Sequence, residues 1–282
     1  MTIGATGRGL FELIRPVNAV AAGMLTLIGA FVAGGLFDSP GAAVAAAGAT
    51  VLATGAGNAI NDYFDREIDR INQPNRPIPR GAVSPRGTLV FSIALFVGAV
   101  ALALILPAIA IAIALVNLLL LVAYTQLFKG LPGVGNAVVA ALGGSTFLFG
   151  GAAVGNATTP GVLFVLAALA TFTREVIKDV EDLEGDREEG LNTLPIAIGE
   201  RPALWVGVVC LLVAVFASPL PYLNGSLGVV YLLVVLPANV LMLVAAYTSF
   251  QDPTAGQKRL KYGMFLAAGA FVLGRAAVLV SI

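Results

Sequence analysis

Nine long apolar stretches, separated by polar breaks, constrain the fold of this chain more than any other feature of its sequence. Each is about 17 to 25 residues long, the length that crosses the hydrocarbon core of a bilayer as an α-helix. They lie near residues 17–37, 41–60, 88–106, 107–126, 135–154, 160–177, 203–221, 226–249 and 262–282. Only 11% of the residues are charged, against roughly 25% in soluble domains. The sequence therefore predicts an all-α membrane protein in a single domain, residues 1–282.

The positions of Lys and Arg test these spans, because every second loop faces the same side of a membrane. All sixteen cations except Arg275 fall before the first span or around the gaps after the second, fourth, sixth and eighth spans. The positive-inside rule makes this side cytoplasmic. We therefore predict a multi-pass protein of the cell membrane with a cytoplasmic amino terminus and two long cytoplasmic loops, 61–87 and 178–202.

An acidic pattern occurs at the start of both long loops. With a constant offset of 117 residues, the two copies read Asn61-Asp62-x-x-Asp65-x-x-x-Asp69 and Lys178-Asp179-x-x-Asp182-x-x-x-Asp186. At about 100° per residue, each copy falls on one helix face if the preceding span stays helical through it. Two acidic stripes on the same side of the membrane can converge on a shared cavity that opens to the cytoplasm.

Carboxylates crowded beside a medium of low dielectric repel one another unless cations neutralise them. The chain has no histidine and a single cysteine, Cys210, so zinc and haem are disfavoured and oxygen ligands remain. Mg²⁺ takes one or two carboxylates per ion and fills its other positions with water and phosphate oxygens. We therefore predict two Mg²⁺ ions, or Mn²⁺ in their place, that clamp a diphosphate between the stripes.

Other interpretations explain less of this pattern. Solvated loops whose carboxylates pair with nearby arginines have no reason to repeat their spacing on a second helix. A transporter would place its acids inside spans and show paired broken helices. A CDP-alcohol phosphotransferase also uses aspartates and Mg²⁺, but the Asp-Gly and Ala-Arg pairs expected of it are absent from residues 61–69. The net charge of zero argues against nucleic acid as a partner, and no protein partner is indicated.

Two blocks of the sequence resemble the signatures of the UbiA superfamily of intramembrane prenyltransferases. They read Asn61-Asp-Tyr-Phe-Asp-Arg-Glu-Ile-Asp69, followed by Asn75-Arg-Pro-Ile-Pro-Arg-Gly81, and Asp182-Leu-Glu-Gly-Asp186. The resemblance implies that the nine predicted transmembrane helices form an all-helical bundle around a central cavity, where Asp-rich motifs bind an isoprenyl diphosphate through Mg²⁺. It also implies that the allylic C–O bond ionises and that an acceptor nucleophile captures the carbocation.

The resemblance assigns roles to individual residues. The expected catalytic residues, which also hold the metals, are Asp65, Asp69, Asp182 and Asp186. Asn61 is a further expected ligand, and Asp62 and Asp179 are expected to support the ligands. The expected contacts to the diphosphate or to the acceptor are Arg15, Asn18, Arg66, Arg76, Tyr124, Lys129 and Lys178. A family stretch, Tyr-x-x-x-x-Lys-Arg, reads Tyr124 to Lys129 here but continues with Gly130 instead of arginine.

The second acidic block carries the clue to the acceptor. Residues 174–186, Arg-Glu-Val-Ile-Lys-Asp-Val-Glu-Asp-Leu-Glu-Gly-Asp, are more similar to the archaeal ether-lipid synthases of this family than to its chlorophyll synthases, as is Arg15-Pro-Val-Asn18. This similarity implies transfer of a geranylgeranyl group from geranylgeranyl diphosphate to the lipid-like geranylgeranylglyceryl phosphate, which forms the second ether bond of archaeal membrane phospholipids. The alternative is an aromatic acceptor of a quinone, haem or chlorophyll pathway.

Overall fold

A computed structural model describes residues 3–280, all of whose regular elements are helical. The helices are α1 (Ile3–Leu13), α2 (Pro16–Val32), α3 (Pro40–Phe64), α4 (Arg66–Asn72), α5 (Pro85–Ala103), α6 (Ala108–Ala123), α7 (Val134–Ala153), α8 (Thr158–Glu181), α9 (Leu183–Glu188), α10 (Leu194–Ile198), α11 (Glu200–Ala217), α12 (Leu220–Leu223), α13 (Val229–Thr248) and α14 (Pro253–Val280). A π-helical turn, Tyr124–Phe128, continues α6. The predicted all-α class is confirmed for this part of the chain.

Seven long apolar segments in the described chain are able to cross a membrane: α3, α5, α7, α8, α11 with α12, α13 and α14. A bent pair, α1 and α2, meets at 45° and makes an eighth if it forms one span. With 16 residues, α6 is shorter than the roughly 20 residues that a bilayer core requires. The prediction of a multi-pass membrane protein is confirmed, but the predicted count of nine is not.

The two predicted cytoplasmic loops are partly helical. The third helix continues to Phe64 and the eighth to Glu181, well past the end of each apolar run, and α4, α9 and α10 fold within the remaining segments. Hydropathy detects only the part of a helix that meets lipid, so it places the polar last turns of α3 and α8 in loops. These turns bring both acidic patterns to one end of the bundle, which we call the acidic end.

The opposite end of the bundle, called the far end, is closed by helices that approach one another through glycine. A Cβ atom at Gly29 of α2 would overlap the carbonyl oxygen of Phe147 in α7, and one at Gly150 would overlap that of Thr26. Small residues at helix crossings allow this contact and so increase van der Waals packing in a membrane. Arg275, the cation outside the charge pattern, also lies here, with its guanidinium against the turn after α2 at Gly34.

Candidate active site

Both acidic patterns fold into the same local structure, a long helix and a short helix joined at one aspartate. Asp65 joins α3 to α4 and Asp182 joins α8 to α9. Their backbone angles nearly coincide, with φ −81° and ψ 2° at Asp65 and φ −92° and ψ 8° at Asp182. In each copy the amide of the next aspartate, Asp69 or Asp186, donates to the carbonyl of the joining residue, at 2.8 and 2.9 Å. The sequence repeat is therefore also a structural repeat.

The sequence predicts a continuous helix that carries each acidic stripe, but the helices break at Asp65 and Asp182. A straight helix would have carried all members of a copy along one face. Instead, Asp62 and Asp179 lie on the long helices, and Asp69 and Asp186 lie on the short ones. The carboxylates of each copy thus surround a bend, which lets them approach a common ligand from two directions.

Two arginines neutralise the buried carboxylates of the first copy. Arg15 Nη2 donates to Asp62 Oδ1 at 2.7 Å, and Arg76 Nη1 donates to Asp69 Oδ2 at 2.7 Å and lies 3.5 Å from Asp62 Oδ1. The side chains of Asp62 and Asp69 are only 6% and 7% exposed, so each needs a compensating charge. Carboxylates of the first copy therefore do pair with arginines, as expected for solvated loops, but Asp62 and Asp69 are buried rather than solvated.

Arg15 reaches Asp62 from a strained backbone position. It lies between α1 and α2 with φ 47°, the sole positive φ of a non-glycine residue in the described chain. Pro16 follows directly and begins α2. Left-handed backbone is costly for a residue with a Cβ atom and is often found at functional sites. The chain therefore tolerates strain where the guanidinium must point to the acidic end.

Lys129 connects the two copies. Its Nζ donates to both carboxylate oxygens of Asp65, at 2.9 and 3.0 Å, and its side chain also lines the pocket at the second copy. The preceding π-turn has a hydrogen bond from the Lys129 amide to the Tyr124 carbonyl, at 3.0 Å. A π-turn holds one residue more than an α-turn, so residues five apart come onto nearly the same face. Tyr124 and Lys129 both reach the pocket for this reason.

A polar pocket of about 110 Å³ lies beside the second copy. Its charged and polar lining comes from the π-turn, α7, α8, α9 and the segment before α10, and consists of Tyr124, Lys129, Asn136, Glu175, Lys178, Asp179, Asp182, Asp186 and Thr193. Asn136 Nδ2 donates to Asp179 Oδ2 at 2.8 Å. Burial raises the pKa of Asp186; Thr193 Oγ1, which lies nearby without reaching hydrogen-bond geometry, opposes the rise, and the charge of Asp182 adds to it.

The second copy differs from the first because its aspartates have no cation in direct contact. Within the described chain, no Lys or Arg nitrogen lies within 4 Å of the carboxylates of Asp179, Asp182 or Asp186. Nor do three acidic side chains of residues 3–280 converge into a preformed metal cage. An ion held by one or two carboxylates and several waters fits this set of oxygen donors, and Mg²⁺ binds in that way.

The remaining predicted residues occupy varied positions. Asn61 lies in the last turn of α3, and Lys178 is exposed at the rim of the polar pocket. Arg66 turns to Tyr63, with its guanidinium carbon 4.8 Å from the ring centroid and Nη1 donating to the Tyr63 carbonyl. Asn18 is exposed in the first turn of α2. Arg66 Nε also lies 3.5 Å from Glu67 Oε1, but neither Arg66 nor Asn18 forms an ion pair or hydrogen bond with an aspartate of the two copies in the described chain.

Sequence reasoning missed Asn136 and Thr193. Asn136 is the sole polar residue in the first two turns of an otherwise apolar helix, and a polar side chain inside a membrane span is itself a signal of function. Thr193 follows Asn192, which repeats Asn75 at the same offset of 117 residues, and it stands where the first copy has Arg76. Its hydroxyl is buried without a hydrogen-bond partner, so it is available to a ligand in the pocket.

An apolar cavity of about 150 Å³ lies on the far-end side of the polar pocket. Glu175 and Val139 line the polar pocket, whereas Thr171 and Gly143, one helical turn further along α8 and α7, line the apolar cavity. The two spaces therefore follow one another along the same pair of helices. A ligand with an anionic head and an apolar tail matches this arrangement.

Comparison with known proteins agrees with these observations. The model of the UbiA prenyltransferase family matches residues 22–269. The digeranylgeranylglyceryl phosphate synthases of Natronomonas pharaonis and Halobacterium salinarum are 66% and 63% identical over 272 and 270 residues, which is 96% of this chain and 98% of each relative.

Solved structures show the same fold. One, from work on digeranylgeranylglyceryl phosphate synthase in membranes, has a TM-score of 0.83 at 33% identity and covers 96% of this chain and 98% of that one. A UbiA homologue from Archaeoglobus fulgidus bound to GPP and Mg²⁺ has a TM-score of 0.72 at 20% identity, covering 95% and 98%. The second likeness concerns the fold alone.

Proposed function

Because this chain belongs to the UbiA prenyltransferase family, we propose that it transfers a geranylgeranyl group from geranylgeranyl diphosphate to geranylgeranylglyceryl phosphate. The reaction breaks the allylic C–O bond, releases diphosphate and forms an ether bond to the acceptor hydroxyl. The reaction type is supported by the acidic polar pocket and the apolar cavity, which are lined by successive turns of α7 and α8. The choice of acceptor is supported by the relatives that bear this name and match almost the full chain.

Divalent cations are part of the proposal. Two ions, Mg²⁺ or Mn²⁺, would be held by Asn61, Asp65 and Asp69 on one side and by Asp182 and Asp186 on the other. Asp62 and Asp179 would support these ligands. Such ions neutralise the charge of a diphosphate and so make it a better leaving group. The exposed, unpaired carboxylate of Asp182 supports an open position there.

The cations of the site would also bind the diphosphate of the prenyl donor. Arg15, Arg76 and Lys129 hold carboxylates of the first copy, and each can turn to a phosphate oxygen at the same place. Lys178 at the rim and Tyr124 inside the pocket supply further donors. Donors fixed before the reaction stabilise the charge that develops on the departing diphosphate. The acceptor oxygen then bonds to the allylic carbon and gives its proton to the departing diphosphate.

We also propose nine membrane spans in a single domain with a cytoplasmic amino terminus. The bent pair of α1 and α2 would form one span. With the π-turn, α6 reaches residue 128 and is then long enough to form another. The side with nearly all Lys and Arg residues would be cytoplasmic, which places the acidic end there.

The proposal is tested with purified protein in detergent, Mg²⁺ and geranylgeranyl diphosphate. Geranylgeranylglyceryl phosphate and 4-hydroxybenzoate are offered in separate reactions, and diphosphate release is measured together with the prenylated product. We expect an ether-linked product from the first acceptor and none from the second. Prenylation of 4-hydroxybenzoate alone would support the aromatic alternative, and the absence of diphosphate release with every acceptor class would exclude the enzyme.

A further inference from the structure

The two acidic copies differ in charge at the residue that follows their last aspartate by seven positions. In the first copy this residue is Arg76, whose Nη1 donates to Asp69 Oδ2 at 2.7 Å. In the second copy it is Thr193, which lies beside Asp186 in the polar pocket. Both residues therefore occupy the same place relative to their aspartate, but only the arginine carries a charge.

Each aspartate of the first copy has a cation of its own. The pairs, with nitrogen to oxygen distances of 2.7, 2.7 and 2.9 Å, are Arg15 with Asp62, Arg76 with Asp69 and Lys129 with Asp65. The charges of these six side chains cancel. A divalent cation that approaches the first copy is repelled by three positive groups that already hold the carboxylates. The first copy therefore disfavours a metal ion as long as these pairs persist.

The second copy has three aspartates as well, but no cation in contact with them. In the described chain, no Lys or Arg nitrogen lies within 4 Å of the carboxylates of Asp179, Asp182 and Asp186. The partner of Asp179 is a neutral amide, Asn136 Nδ2, at 2.8 Å. Two lysines line the same pocket, but Lys129 Nζ is bound to the first copy and Lys178 is exposed at the rim. The repulsion among these carboxylates is therefore open to relief by a divalent cation.

Thr193 leaves room for a hydrated ion and offers it a polar partner. The residue is 7% exposed and lines the pocket of about 110 Å³, and its hydroxyl is buried without a hydrogen-bond partner. A side chain as long as arginine would fill this space and pair with Asp186. The hydroxyl can instead bond to a water of the ion, because Mg²⁺ keeps several of its waters when it binds to protein carboxylates.

We propose that the two copies bind divalent cations in a fixed order: the second copy binds an ion in the free protein, and the first copy binds one only together with the diphosphate of the donor. The proposal rests on the proposed function, which supplies the diphosphate. Phosphate oxygens give Arg15, Arg76 and Lys129 new partners, so the carboxylates of the first copy become available to an ion at that moment. The exchange of Arg76 for Thr193 between the copies determines the order.

The test is the binding of Mn²⁺ to the full chain in detergent micelles, followed by the electron paramagnetic resonance signal of free Mn²⁺. This ion is paramagnetic and prefers the same oxygen ligands as Mg²⁺. We expect the wild type to bind about one ion per chain without diphosphate, and a second ion after addition of an unreactive donor analogue with sulfur in place of the bridging oxygen. Binding of no ion, or of two equally tight ions, in the absence of diphosphate would overturn the proposal.

Matched substitutions in the two copies identify the one that binds the first ion. Without diphosphate, Asp186→Asn should weaken Mn²⁺ binding at least about tenfold, whereas the equivalent Asp69→Asn should change it by less than about twofold. Thr193→Arg gives the second copy the cation of the first and should also weaken binding at least about tenfold. The control is Thr193→Val, which removes the hydroxyl but adds no charge and little volume, so it should weaken binding by no more than about fivefold.

An equal loss of affinity in the two asparagine variants would refute the order of binding, and so would equal affinities of Thr193→Arg and Thr193→Val. Should Asp69→Asn or Thr193→Arg fail to fold, as judged by its thermal transition in EDTA, the other comparison decides alone. Diphosphate release by the wild type is measured separately. A wild type that releases diphosphate but binds its first ion equally through both copies refutes the order and leaves the proposed function intact, whereas ordered binding without any diphosphate release refutes the function alone.

Discussion

A substitution at Arg76 tests whether this cation stabilises the buried carboxylates of the first acidic copy. Its Nη1 lies 2.7 Å from Asp69 Oδ2 and 3.5 Å from Asp62 Oδ1. No other Lys or Arg nitrogen in the described chain comes within 4 Å of Asp69, whereas Asp62 also has Arg15 at 2.7 Å. We expect Arg76→Met to leave the carboxylate of Asp69 buried without a cation.

The expected loss of stability lies between the values for buried and for exposed ion pairs. Removing one partner of a fully buried pair costs about 3–5 kcal/mol, and exposed pairs contribute about 0–1 kcal/mol. The Asp69 side chain is 7% exposed but Arg76 is 32% exposed, so solvent screens part of the interaction. We therefore expect Arg76→Met to lower the free energy of unfolding by about 2 kcal/mol.

The measurement is equilibrium unfolding in detergent micelles with EDTA present, so that no divalent cation replaces the lost charge. Arg76→Met combined with Asp69→Asn should recover most of the loss, because a neutral amide is less costly to bury than an unpaired carboxylate. Arg15→Met is the comparison and should cost less, since Asp62 keeps Arg76. Equal destabilisation by the single and double variants would refute the pairing of Arg76 with Asp69.

Three further predictions concern the metal site and the helix crossings. Asp65→Ala and Asp182→Ala should each abolish diphosphate release without moving the thermal transition; a near-normal rate in either contradicts its role as a metal ligand. Chelation with EDTA should stop diphosphate release and added Mg²⁺ should restore it, and activity that persists in EDTA would exclude a divalent cation. Gly150→Ala should lower the free energy of unfolding by at least about 1–3 kcal/mol, because the added Cβ atom overlaps the Thr26 carbonyl. The control is Gly269→Ala, whose Cβ atom meets no atom within 4 Å, and it should be neutral or slightly stabilising. Equal unfolding transitions of the two variants would contradict the close contact of α2 with α7.

Hydropathy predicted the long helices because lipid demands apolar residues along their whole length, but it could not locate their polar ends. The last turns of α3 and α8 carry Asn61, Asp62 and Asp179, which satisfy their backbone hydrogen bonds as any helical residue does. The breaks at Asp65 and Asp182 were equally hidden, since neither position holds the proline or glycine that usually marks a bend. The repeat indicated where function lies but not the shape of the backbone there.

The side-chain arrangement depended on contacts between distant parts of the chain. Arg15 and Asp62 are both visible as candidates, yet only the fold shows that they pair across 47 positions. The lining of the apolar cavity likewise cannot be read from sequence, because Phe147, Tyr231 and Phe271 come from three different helices. Phe271, for example, belongs to an apolar run that gives no sign of its partners.

The closed far end has a consequence for the membrane itself. A polar pocket that enters a bilayer shortens the path that an ion must travel to cross it, so the remaining path must be unfavourable for a charge. Here the remaining path is filled by the packed rings of Phe147, Tyr231 and Phe271 and by the close helix contacts at Gly29 and Gly274. The far half of the bundle is thus apolar and closely packed, so an ion that leaves the polar pocket in that direction meets a region of low dielectric, where an unpaired charge is costly.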